Sequence, residues 1–141
     1  MTEDINRFLE AQDGGRYEQA LAEIKEGRKR SHWIWYIFPQ LRGLGHSRMA
    51  QYYGIGSKEE AEDYLSDDTL RSRLEEISRT LLLHSDESAE AVLGGIDALK
   101  VRSCMTLFDA IAPYDVYAEV LDTFYYGDRC ELTLRMLEEE E

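Results

Sequence analysis

Apolar positions along this chain recur with the period of a helix and almost nowhere with that of a strand. Tyr17, Ala20, Leu21 and Ile24 fall at i, i+3, i+4 and i+7, the mark of one buried helical face. Ile5, Phe8 and Leu9 form a shorter stripe that ends before Gly14 and Gly15. Leu70, Leu74, Ile77 and Leu81 line one side of a longer element, with Arg71, Glu75, Glu76 and Arg79 on the solvated side. Val116, Val120, Leu121 and Phe124 make a further face between Tyr114 and Tyr126. Leu132, Leu134 and Leu137 make the last.

The punctuation agrees with those periods. Gly27 is placed to close the second helix. Ser47 can cap a short helix running to Tyr53 and closed by Gly54. Ser57 and Glu60 have capping-box spacing and open a helix through Leu65. Asp67 or Asp68 then caps the Leu70–Leu81 helix. Gly94 and Gly95 precede a helix predicted over Ile96–Ala112, which Pro113 ends because the residue before proline is pushed out of the α region. Gly127 closes the helix after it, and Glu138–Glu141 reads as a solvated acidic tail. Only Trp33–Phe38 is ambiguous between a strand and a buried helical turn. The expectation is one all-α domain over residues 1–141, a compact bundle of about seven short helices.

Composition narrows the classes. A charged fraction of 32% beside a hydrophobic fraction of 43% fits a folded globular chain rather than a disordered one. The net charge of −13 disfavours non-specific binding to nucleic acid or an anionic membrane. The opening MTEDINRFLE lacks a basic stretch followed by an apolar one, and no apolar run approaches membrane-spanning length; a cytoplasmic protein is expected. Cys104 and Cys130 form no CxxC pair, and Cys104 reads as a small buried hydrophobe.

Candidate chemistry concentrates in Arg28–Ser47, RKRSHWIWYIFPQLRGLGHS, which carries a basic cluster, both tryptophans and a glycine-rich turn. Its aromatic middle is six consecutive apolar residues, which cannot all face a ligand, so most must be core. Arg28, Lys29 and Arg30 follow a helix end and partly answer to its dipole. Arg42, Gly43, Gly45 and Ser47 resemble a turn that cradles an anion through backbone N–H groups, although no P-loop GK[ST] ending follows. His32 is the candidate general acid or base, its reference pKa lying near neutrality. His84, after a helix end, is expected to be an exposed cap. No HExxH and no paired His–Cys spacing occurs, so no metal and no cofactor is expected.

On the Ile96–Ala112 wheel, Val101, Cys104, Met105, Phe108 and Ile111 define an apolar arc that Ile96, Leu99 and Leu107 widen. Such a helix should be central. Lys100 and Ser103 fall inside the widened arc with Thr106 on its flank, and a lysine there must snorkel, find a carboxylate or face a ligand. The K-x-x-S order reverses that of serine–lysine enzymes, so a nucleophilic Ser103 is not expected.

The string SHWIWYIFPQLRGLGHS, with FLEAQ at Phe8–Gln12, YEQALAEI at Tyr17–Ile24 and IDALKVRSCMTLF at Ile96–Phe108, resembles the domain of unknown function 1810 family over nearly the entire chain. The resemblance implies a small, mainly helical single domain and leaves the biochemical role open. Its motif positions in this chain are Lys29, His32, Trp33, Pro39, Gln40, Gly43, Gly45 and Ser47, then Tyr53, Lys100, Ser103 and Thr106. Some members carry the label calpastatin, but true calpain inhibitors are largely disordered, proline-bearing repeats, and this chain has two prolines.

Three readings follow. In the first, the domain binds, or acts on, a small anionic, phosphate- or nucleotide-like molecule through Arg28–Arg30, Arg42, the Gly43–Ser47 turn and Lys100, with Trp33 or Trp35 stacking and His32 transferring protons. In the second, residues 28–47 are the surface of a protein-interaction or regulatory module. In the third, the stretch is wholly structural. A concavity shared by His32, Gln40, Ser47 and Lys100 favours the first, their dispersal over different faces defeats it, and an exposed patch around the tryptophans favours the second.

Overall fold

The computed structural model describes residues 4–140, which form ten helices and no strand. The all-α expectation holds, with more and shorter helices than expected. α1 (Asn6–Gln12) and α2 (Arg16–Glu26) make an N-terminal pair, and Gly27 closes α2 in the left-handed conformation. The ambiguous aromatic run is a single helical turn, α3 (Ile34–Ile37), rather than a strand.

Next come α4 (Arg48–Tyr52), α5 (Lys58–Ser66) and α6 (Asp68–Leu82). Their caps are those the sequence offers: Ser47 Oγ accepts from Ala50 N, Ser57 Oγ from Glu60 N, and Asp67 from Leu70 N. α7 (Ala89–Leu93) leads into α8 (Gly95–Ile111), and α9 (Val116–Tyr125) and α10 (Glu131–Glu139) complete the bundle. The C-terminal acidic run is not wholly a tail: Glu138 and Glu139 are helical, and the Glu140 carboxylate accepts from Lys58 N at the start of α5. Glu141 lies outside the described residues.

α8 is the central helix, packed by α5, α7, α9 and α10. Its buried face runs Ala98, Val101 and then without a break from Ser103 to Phe108. A row of rings crosses the core beside it, Phe8 to Tyr64 at 5.1 Å, Tyr64 to Phe108 at 5.2 Å and Phe108 to Tyr117 at 5.9 Å. The apolar arc is narrower than the wheel suggested: Ile96 and Leu99 are 74% and 57% exposed. Ala98 beside them is fully buried, so this end of α8 packs through one side only and leaves Ile96 and Leu99 facing solvent.

Two long-range contacts set the loops. Arg7 makes a buried fork onto Glu60, at 2.7 and 3.0 Å, and also donates to the Tyr52 and Gly54 carbonyls. Residues 40–42 pair with Ile55, through Arg42 N to Ile55 O and Ile55 N to Gln40 O. His84 is not an exposed cap. Half-buried, it donates from Nε2 to the Ile24 carbonyl at 2.7 Å and packs against Gly27, tying the ends of α2 and α6 together.

Candidate functional site

Glu23, on the buried face of α2, organises the basic loop that follows. Its Oε1 accepts from Arg30 N, Ser31 N and Trp33 Nε1, and its Oε2 accepts from the Ser31 hydroxyl. Burial pushes this carboxyl up, but the donors outweigh it and hold its pKa at about 2. Trp33 is thereby locked into the core at 2% exposure, with Ile34, Tyr36, Ile37 and Phe38 also buried. These rings are core, as the unbroken apolar run requires, and they offer a partner no aromatic surface.

Trp35 is the exception. It packs against that core but is only partly buried, and it borders two cavities. One is an open cleft of about 410 Å³ between the 29–35 segment and the start of α8, lined by Lys29, His32, Trp35, Gly94, Ile96, Asp97 and Lys100 among others. The other is a slot of about 10 Å³ lined by Trp35, Phe38, Gln40, Ala50, Tyr53 and Lys100. A space that small holds about one water. Lys100 and Trp35 join the two.

The cleft exists because Lys29 N donates to Val92 O at the end of α7, which sets the basic loop beside the start of α8. Gly94 turns the chain there with φ 88° and ψ 154°, a conformation open essentially to glycine alone. It also leaves α8, a helix of 17 residues, with no side-chain cap. The uncapped start of α8, with the positive end of the helix dipole, lies beside the cleft, whose lining includes Gly94, Gly95, Ile96 and Asp97.

The ionic arrangement is asymmetric. Lys29 Nζ pairs with Asp97 Oδ2 at 2.8 Å, donates to the Ser31 carbonyl and lies 4.9 Å from the centre of the Trp33 ring. Lys100 Nζ stands 3.6 Å from Asp97 Oδ1 and 5.5 Å from the centre of the Trp35 ring. The buried Trp35 indole N–H finds no acceptor within the protein. His32 lies exposed at the rim.

The structure thus gathers Lys29, His32, Gln40, Tyr53 and Lys100 around Trp35. It does not bring Ser47 there. Ser47 caps α4, and Ala50 N is already satisfied by its hydroxyl. In the same turn Arg42 donates to the Gln51 and Gly54 carbonyls, and a Cβ on Gly45 would meet Ala50 Cβ at 2.8 Å. Gly43 abuts Met136. Ser103 and Thr106 back-bond to the Leu99 and Arg102 carbonyls, and Thr106 also accepts from Cys130 N, tying α8 to the start of α10. Arg42, Gly43, Gly45, Ser47, Ser103 and Thr106 line neither cavity.

Asp97 and Trp35 Nε1 were not singled out from the sequence. Asp97 has one local signal, a carboxylate in the first turn of a helix three residues before Lys100. A larger hollow of about 700 Å³ is bordered by Asp4, Glu59, Glu60, Asp63, Asp67 and Arg42. Its carboxylates disfavour anions, and Glu60 is committed to Arg7. Among the described residues no group of His, Cys, Asp or Glu is arranged to hold a metal ion, and no helix is long and apolar enough to cross a membrane.

Comparison with known proteins gives a matching fold and no activity. No curated protein matches the chain. A solved structure, the conserved hypothetical protein Rv1873 from Mycobacterium tuberculosis, is 40% identical, with 96% of each chain covered and a TM-score of 0.92. Residues 2–137 match the family described as protein of unknown function (DUF1810), and the chain belongs to that family.

Proposed function

We propose that this domain binds a small anionic, phosphate- or nucleotide-like molecule in the cleft between Lys29–Trp35 and the first turn of α8. The observation that carries the reading is convergence. Lys29, His32 and Trp35 from one segment meet Lys100 from a helix far along the chain, at an uncapped helix N-terminus. Two ammonium groups and helix-end N–H groups favour an anion. The face of Trp35 is the surface on which a planar ring stacks. His32 at the rim is the group placed to exchange a proton with a bound phosphate, should the domain act on its ligand.

The test is thermal stability against inorganic phosphate, ribose 5-phosphate and purine and pyrimidine nucleotides. A true ligand at a hundredfold excess over Kd adds about 2.7 kcal/mol of stability. Lys100→Met, whose ammonium makes no hydrogen bond within the protein, should stay folded and lose that gain. A silent panel on the folded wild type would sink the reading.

A further inference from the structure

The two lysines of the cleft are chemically unequal. Lys29 is saturated: Asp97 at 2.8 Å, the Ser31 carbonyl and the Trp33 ring surround an ammonium whose side chain is 7% exposed. Lys100 has no hydrogen bond, a long ion pair at 3.6 Å and a side chain 24% exposed, and it alone of the two borders both cavities. Between them Asp97 presents one carboxylate oxygen to each ammonium. Its place in the first turn of an uncapped α8 is where an anion is most favourable.

We infer that Asp97 is the resident anion of the cleft, an affinity-setting residue that the ligand's anionic group must displace from Lys100. Lys29 is then a positioning residue that stays with Asp97 when ligand enters. Lys100 is the cation that changes partner, with the Trp35 face beside it. The inference rests on the anion-binding reading above and adds to it a direction: the carboxylate weakens binding, because the ligand meets a like charge a few ångströms away. A merely structural Asp97 makes the opposite prediction, since its loss would loosen the cleft and weaken binding.

The experiment is titration of wild type, Asp97→Asn and Lys100→Met with inorganic phosphate, ribose 5-phosphate and adenosine monophosphate, followed by tryptophan fluorescence and calorimetry. In D97N the amide oxygen still accepts from Lys29, so the loop is retained. D97N is expected to bind about tenfold tighter than wild type, and Lys100→Met to show no saturable binding. Asp97→Ser, which also removes the charge, gives the same reading if D97N does not fold. Binding by D97N equal to or weaker than that of wild type overturns the inference and leaves the anion site standing. No saturable binding by any of the three proteins overturns both.

Discussion

A carboxylate that accepts from two backbone N–H groups, a hydroxyl and an indole tolerates one protonation state, and Glu23 is such a group. Its folded pKa, about 2, lies below the ordinary 4.5, so its contribution is fully present above pH 4.5 and is lost as pH falls toward 2. We expect denaturant unfolding to show stability falling across that window by roughly 3 kcal/mol from this group. Glu23→Gln should flatten that slope and expose Trp33, visible as a red shift of its emission. An unchanged slope in the variant would place the acid sensitivity elsewhere. Nothing in the sequence singles out Glu23, because two of its donors are loop N–H groups with no residue signature and the side chains of Ser31 and Trp33 come to it from the loop beyond its own helix. Lys100, by contrast, was legible at once, since a lysine inside an apolar arc needs a reason. The structure supplies a carboxylate, Asp97, and Lys100 also borders an open cleft.

At the scale of elements, helix positions were legible because period and caps are local properties. Ser47, Ser57 and Asp67 each accept the N–H that an N-cap should accept. What was not legible is whatever depends on two elements meeting. Glu60 reads in the sequence only as the capping-box partner of Ser57, and Arg7 is not singled out, yet the two, 53 positions apart, are both buried and make a two-pronged pair. Arg7→Ala removes the two-pronged partner of a buried carboxylate, leaving it Arg42 nearby and the Gly56 N–H, and should cost about 3 kcal/mol. Hydrogen exchange should show α1 and residues 52–56 losing protection first. The glycine turn 43–47 has a different prediction. Gly45→Ala forces a contact with Ala50 and should destabilise by about 1–3 kcal/mol. Phosphate affinity should be unaffected, because the turn borders neither cavity. A selective loss of affinity without loss of stability would return that turn to the site.

The whole molecule is a bundle built around α8, and its core is continuous from Phe8 through Tyr64 and Phe108 to Tyr117. Phe108→Ala should cost about 3–5 kcal/mol, read by thermal or denaturant unfolding. That same helix carries the core at its middle and the cleft at its first turn, which is why a wheel drawn over its full length misjudged Ile96 and Leu99. A net charge of −13 surrounds a cleft that holds two lysines and one aspartate, so on the proposed reading local geometry, and not the overall field, would hold an anion there. The most direct measurement is a ¹H–¹⁵N titration with inorganic phosphate, ribose 5-phosphate and adenosine monophosphate. Saturable shifts are predicted at the Trp35 indole N–H and at the amides of Gly95, Ile96 and Asp97, with the Trp33 indole unmoved. No saturable shift with any of the three, or shifts gathered instead at Gly43–Ser47, would contradict the cleft as the binding site.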